Sequence, residues 1–148
     1  AKGLLKAAIR SDDPVIFLEH KLLYLTKGYV PQKEYIIDLG IGDIKRQGKD
    51  VTLIAWSSMV SRSLEAALIL ANEGIDVEVI DPRSLVPLDK DLILHSVRKT
   101  EHVVIDYLNA PIEIVAGLNT PIPFNLHLES ASVPQVDDIV QAVKKNLK

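Results

Sequence analysis

Between Asp50 and Asp89 the chain reads DVTLIAWSSMVSRSLEAALILANEGIDVEVIDPRSLVPLD. A buried-type run, Val51 to Trp56, meets a small polar break at Ser57-Ser58. Val60, Leu64, Ala67, Leu68 and Ala71 then recur at helical spacing until Gly74 stops them. A second run, Val77 to Ile80, ends in Asp81-Pro82-Arg83. Strand, helix and strand in this order, with near-continuous apolar strands, is the pattern of a parallel βαβ unit. It commits the chain to the α/β class.

Composition narrows the function classes. The 148 residues are enough for a sizeable core, and 47% hydrophobic with 25% charged residues is ordinary globular usage. A net charge of −3 gives a polyanion nothing to bind, which argues against nucleic acid. The absence of cysteine removes disulfides, thiolate catalysis and cysteine-ligated zinc. No segment reaches the roughly 20 apolar residues of a membrane helix. The opening AKGLLKAAIRSDD reads as an internal helix, so the expectation is a chain that begins inside a longer parent.

Leu4, Leu5, Ala8 and Ile9 predict a short helix, and Asp13-Pro14 turns the chain into a buried-type strand, Val15 to Leu18. Tyr24 to Gln32, with Gly28 and Pro31, reads as a linker or an ordinary surface loop. From Ile41 to Arg46, through Gln47-Gly48-Lys49-Asp50, to Val51 through Trp56, the pattern predicts an antiparallel hairpin. A helix after Ser57, a strand over Val77–Ile80, a helix over Asp89–Arg98 and a strand over His102–Ile105 follow. A further strand is expected over Ile112–Val115, and a last helix from about Gln135. Together these predict a three-layer α/β/α fold whose mixed, mostly parallel sheet has one antiparallel strand.

One junction does not fit. The strand ending at Ile105 is followed by only six residues, Asp106 to Pro111, before the next strand. A crossover between parallel neighbours needs at least about 10–12 residues, helix included. The expectation is a missing segment between residues 105 and 106; the alternative is a true deletion with a rewired or incomplete sheet.

Few residues carry a chemical signature. His20, His95, His102 and His127 stand outside metal-ligand spacing of one another, so each reads as structural. Ser57 and Ser58 sit where a strand feeds a helix, the place where open α/β sheets bind ligands and where free amides attract anions. A simple helix cap explains them as well. Asp81 and Arg83 form a charged turn in which Arg83 grips a carboxylate, inside the domain or across a subunit interface. Asp89 reads as a helix N-cap. Asp137 and Asp138 open the last helix and Lys144, Lys145 and Lys148 close it, as the helix dipole favours.

Five collinear segments carry a family resemblance: AKGLLKAAIRSDDPVIFLEHKLLY, IGDIKRQGKDVTLIAW, GIDVEVIDPRSLVPLDKD, NAPIEIVAGLNTPIPF and SVPQVDDIVQAVKK. They resemble the transketolase C-terminal-like domain of beta subunits of thiamine-dependent 2-oxoacid dehydrogenases (pyruvate, branched-chain 2-oxoacid or acetoin type). The resemblance implies that residues 1–24 close a preceding pyrimidine-binding domain, residues 25–40 link, and residues 41–148 form the C-terminal domain. It also implies that the missing segment is a glycine-rich turn and a helix.

The implied parent decarboxylates a 2-oxoacid oxidatively and passes the acyl group to a lipoyl-acyltransferase. Its cofactors are thiamine diphosphate and magnesium, held by parts outside these residues. No catalytic, cofactor or metal residue is therefore expected here, and the chain alone is expected to be inactive. The implied partners are an alpha subunit, a second beta subunit through this domain with Asp81 and Arg83 near the contact, and the basic peripheral binding domain of the acyltransferase facing Asp137 and Asp138. No nucleic acid or membrane is expected as a partner. The expected location is the bacterial cytoplasm, or the mitochondrial matrix or plastid of a eukaryote. The alternatives are another transketolase-like enzyme and a free α/β module that binds a small anion.

Overall fold

In a computed structural model, residues 1–105, 113–114 and 133–147 are described. Five strands, β1 (Asp43–Arg46), β2 (Val51–Ile54), β3 (Val77–Asp81), β4 (Val103–Ile105) and β5 (Glu113–Ile114), form one sheet in the order β1-β3-β2-β4-β5. All neighbours run parallel except β1, which is antiparallel to β3. Helices α2 (Ser58–Asn72) and α4 (Val136–Asn146) pack together over one face, and α3 (Lys90–Thr100) covers the other. The three-layer mixed sheet is the expected architecture.

Alternation along the strands decides which helix meets which face. Val51, Leu53, Val77, Val79 and Val104 point toward α2 and α4, where they meet Ala66, Ala67, Leu70, Ile139 and Val143. The two alanines let α2 lie close on the sheet, and Leu70 is fully buried between the layers. Each large aliphatic side chain removed from water here contributes roughly 1.5–3 kcal/mol. The opposite face offers Ile54, Ile80 and Ile105 to Leu92 and Ile93 of α3. There the fit is finished by hydroxyls. Thr52 Oγ1 lies 2.7 Å from Thr100 Oγ1 and 3.2 Å from Ser96 Oγ, and Thr100 Oγ1 donates to a backbone carbonyl, Ser96 at 3.3 Å or His102 at 3.0 Å.

The predicted hairpin is corrected. β1 does not pair with β2; β3 lies between them. The link Gln47–Asp50 must therefore cross the start of β3, spanning two strand spacings of about 4.8 Å each. Gly48 makes the crossing feasible, because a Cβ there would fall 2.2 Å from the Glu78 backbone nitrogen. Lys49 and Asp50 amides both donate to the Asp76 carbonyl (3.1 and 2.9 Å), and the Asp76 amide donates to Asp50 Oδ2 at 2.7 Å. Arg46 clasps Asp76 at 2.9 Å and also donates to the Val77 carbonyl.

A second correction concerns the N-terminal arm. Helix α1 (Lys2–Arg10) forms as expected, but residues 15–18 have no strand partner, and Ile16 and Leu18 are 86% and 81% exposed. A strand needs a neighbour to satisfy its backbone, and the described residues supply none. A short 3-10 turn, Lys21–Leu25, follows, with Leu25, Tyr29 and Val30 exposed. The arm folds back once: Lys2 Nζ donates to the Pro31 carbonyl at 2.6 Å, and Gly3 lies against Tyr35 and Ile37. Asp106, His127 and most of the NAPIEIVAGLNTPIPF segment lie outside the described residues, as does the expected break after Ile105.

Candidate functional site

Two strand ends converge where ligands bind in open α/β sheets. At the end of β2, Ser57 turns the chain into α2 with φ 56° and ψ −127°, a strained conformation for any residue with a Cβ. Ser57 is exposed and Ser58 half-buried. No side chain caps the helix, so the expected serine cap is absent. The first turn closes on itself, with the Met59 amide donating to the Trp56 carbonyl at 3.1 Å and the Val60 amide to Ser57 at 3.3 Å. Those two amides are spent, which leaves the helix start weakly equipped for an anion.

At the end of β3, Asp81 Oδ1 accepts from the Arg83 amide at 3.0 Å and holds Arg83 at φ 62°. The guanidinium then reaches Asp43 Oδ2 at 2.8 Å, and Lys45 reaches the same oxygen at 2.7 Å. Lys45 also stands 3.9 Å from Asp81. Hydrogen bonding from Lys45 and the charges of Lys45 and Arg83 hold the Asp43 carboxyl below its ordinary pKa. Arg83 thus grips a carboxylate within its own domain. The neighbouring loop is tied down by the Gly40 amide donating to Ser84 Oγ (2.9 Å) and by Asp89, whose two oxygens accept from Leu92 and Gly42 amides. Its tip is apolar: Leu85 and Val86 are 61% and 92% exposed.

The start of α4 lies beside the start of α2, because Arg62 donates to the Pro134 carbonyl. Asp138 accepts from the Gln135 amide at 2.8 Å in a capping box, while Asp137 stands exposed. Lys144 pairs with Glu73 at 2.7 Å. The structure gives Asp138 a capping task and leaves Asp137 on the surface.

The described histidines make no metal site. His20 Nδ1 accepts from the Leu22 amide at 3.3 Å, His95 is exposed on α3, and His102 leads into β4. No group of three His, Cys, Asp or Glu side chains able to hold a metal occurs among the described residues. In the arm, Tyr24 donates to Glu19 at 2.9 Å and its hydroxyl pKa is raised by that bond; Glu34 is lowered by its bond to Arg10.

A hollow of about 430 Å³ lies at the opposite end of the sheet, where Lys49 and Asp50 precede β2 and His102 precedes β4. Lys99 and Glu101 add opposite charges to its wall. Near it is the feature sequence reasoning missed. Glu78 is completely buried in β3, its Oε2 bound by Lys99 Nζ and 3.4 Å from the Gly48 amide. A lone charge inside the apolar run Val77–Ile80 was the available signal. The pairing neutralises a charge that burial otherwise penalises.

Comparison with known proteins places this geometry. Residues 40–106 match the transketolase C-terminal domain. The mitochondrial pyruvate dehydrogenase E1 component subunit beta-2 of rice is 44% identical over 172 aligned positions, covering 98% of this chain and 46% of that one. The beta subunit of acetoin:2,6-dichlorophenolindophenol oxidoreductase from Bacillus subtilis is 44% identical over 163 positions, covering 95% and 48%. The chain thus spans about half the length of these relatives. A split-gene transketolase, solved as an inactive beta4 tetramer, superposes with a TM-score of 0.65 at 31% identity over 76% of this chain and 44% of that one.

Proposed function

From a chain whose residues 40–106 are a transketolase C-terminal domain, and which is related along nearly its whole length to pyruvate and acetoin oxidoreductase beta subunits, we propose a subunit-association domain of a thiamine-dependent 2-oxoacid dehydrogenase. The observation that carries this reading is the 44% identity over 98% of the chain. In the parent, a 2-oxoacid is oxidatively decarboxylated and its acyl group passes to a lipoyl-acyltransferase. The domain's work is to hold an alpha subunit and a second beta subunit and to present a surface to the acyltransferase. Acetoin is the second substrate reading, favoured by the equal identity to the Bacillus relative.

Thiamine diphosphate with magnesium is the parent's proposed cofactor, and it supplies the carbanion chemistry of decarboxylation when bound. The described residues do not fit it. They lack a metal-capable cluster, the hollow beside Lys49 and Lys99 is lined by both signs of charge, and the start of α2 has spent two of its first amides. We therefore assign none of the cofactor's chemistry to these side chains.

The split-gene relative, solved as a beta4 tetramer, supports self-association as this domain's role. Asp81, Arg83 and the apolar tip Leu85–Val86 are proposed at the beta–beta contact, and Asp137 at the acyltransferase surface. Mitochondrial relatives and the absence of a membrane-crossing helix among the described residues support a matrix location, or the bacterial cytoplasm, for the parent.

Reconstitution tests the proposal. The full parent reading frame, co-expressed with its alpha subunit, should release carbon dioxide from a 2-oxoacid and reduce an artificial acceptor, whereas the present chain with the same alpha subunit should not. Turnover by the present chain, or transketolase activity in the full assembly, would contradict it.

A further inference from the structure

The hollow of about 430 Å³ lies below the starts of the three central strands, β3, β2 and β4. Its size falls within the roughly 300–1,000 Å³ of small-molecule sites. Lys49 and Asp50 enter it from the link before β2, and Glu101 from the turn before β4. Ile75, which leads into β3, and Leu147, which caps α4, add two half-buried aliphatic side chains. The backbone around the hollow is tied in place. Lys49 and Asp50 amides both donate to the Asp76 carbonyl, and the Thr52 amide donates to the His102 carbonyl at 2.9 Å. Asn146 Nδ2 donates to the Val103 carbonyl at 3.3 Å and fixes the end of α4 against β4. A wall held in this way has little left to order when a ligand arrives.

The charges on this wall are not equivalent. Lys99 is engaged by the fully buried Glu78, whose second oxygen, Oε1, has no hydrogen-bond partner among the described residues. Asp50 gives Oδ2 to the Asp76 amide at 2.7 Å. Lys49 and Glu101, by contrast, make no ion pair among the described residues, with each other or with any other group. An unpaired ammonium and an unpaired carboxylate thus line one hollow beside two aliphatic side chains. That combination discriminates between ligands. A phosphate-like anion meets Lys49 but is repelled by Asp50 and Glu101. A metal ion finds no group of three ligating side chains among the described residues. A wholly apolar ligand desolvates both charges and pairs neither. The geometry points to a binding site for a free α-amino acid with an aliphatic side chain. Lys49 takes its carboxylate, Glu101 takes its ammonium, and its side chain lies on Ile75 and Leu147. Charge-assisted bonds at both ends set its orientation. The site lies at the opposite end of the sheet from Ser57 and Arg83, and its occupant joins the link before β2 to the turn after α3. Such a ligand acts as an effector that stabilises the fold.

Titration of the 148-residue chain with L-leucine, followed by amide NMR shifts, tests the site. Shifts at Lys49, Glu101 and His102 should saturate together, with half-saturation at about 1 mM, the affinity expected of so small a ligand in an open hollow. At about ten times that concentration Tm should rise by about 4 °C. Lys49→Ala and Glu101→Gln should each weaken binding at least about fivefold. Both side chains are exposed, so neither change disturbs the fold. Three analogues read the three parts of the ligand: 4-methylpentanoate lacks the ammonium, isoamylamine lacks the carboxylate, and glycine lacks the side chain. Each should bind at least about fivefold more weakly than leucine. The absence of a saturable shift up to about 20 mM leucine overturns the site. Unchanged affinity in both variants does so too, as does binding of 4-methylpentanoate or inorganic phosphate as tight as that of leucine. None of these results touches the proposed dehydrogenase role, which reconstitution tests separately.

Discussion

The sheet domain and the N-terminal arm have similar apolar content but opposite fates. In the domain, Val51, Leu53, Leu70, Val77 and Ile80 are at most 2% exposed. In the arm, Ile9, Ile16, Leu18, Leu25 and Tyr29 are between 74% and 92% exposed. The domain satisfies its strands internally, through four ladders and two helical layers. The arm has a helix, a 3-10 turn and one fold-back clasp, and its apolar side chains find no core. Stability in the isolated chain should therefore reside almost wholly in the domain, and substitutions separate the two regions.

The largest effect is expected at Gly48. A Gly48→Val side chain would meet the β3 backbone, and it should cost more than about 4 kcal/mol in a urea titration or prevent folding. Next comes the core: Leu70→Ala should cost about 3 kcal/mol, against less than about 0.5 kcal/mol for Ile16→Ala. Equal losses at these two sites would erase the distinction between domain and arm. Lys99→Ala leaves the buried Glu78 without its cation and should cost about 2 kcal/mol, less than a fully enclosed pair because Lys99 is itself partly exposed. The double change Lys99→Met/Glu78→Gln should recover much of that loss.

Smaller effects belong to the rim. The Asp43 carboxyl has a folded pKa below its ordinary value, so its stabilisation is present above about pH 4 and is lost as pH falls through the folded pKa. Its side chain is 37% exposed and therefore screened. Asp43→Asn should remove only about 0.5 kcal/mol at pH 7 and flatten the stability curve below about pH 4. Identical acid limbs for the two proteins would deny the Lys45 and Arg83 contacts any energetic role. Ser57→Gly should raise stability by a few tenths of a kcal/mol, since glycine adopts a positive φ without a Cβ clash but loses more chain entropy.

Local order was legible in the sequence, and pairing was not. The alternation of apolar runs with Gly74 and the Asp89 cap located β2, α2, β3 and α3, because those signals act within a few residues. The partner of β1 is a long-range choice. A turn-like Gln47–Asp50 between two strands reads as a hairpin, and only the packing of Gly48 onto β3 reveals a strand inserted between them. Val15 to Leu18 misled for a related reason, since its composition is that of a strand but the described residues offer it no sheet to join. The charged rim was partly legible: Asp81 and Arg83 were singled out, but Asp43, which binds Arg83, lies 40 residues away in sequence. Glu78 and Lys99 went unread because their spacing carries no motif.

Hydrogen exchange on the isolated chain and on the same residues in the proposed alpha–beta assembly tests the central claim most directly. The account predicts slow amides at Val51–Ile54 and Val77–Asp81 in both states, and amides over 15–30 that exchange freely alone but slow at least a hundredfold on assembly. Free exchange over 15–30 in both states, or protection there in the isolated chain, would contradict an arm that completes its structure only with partners.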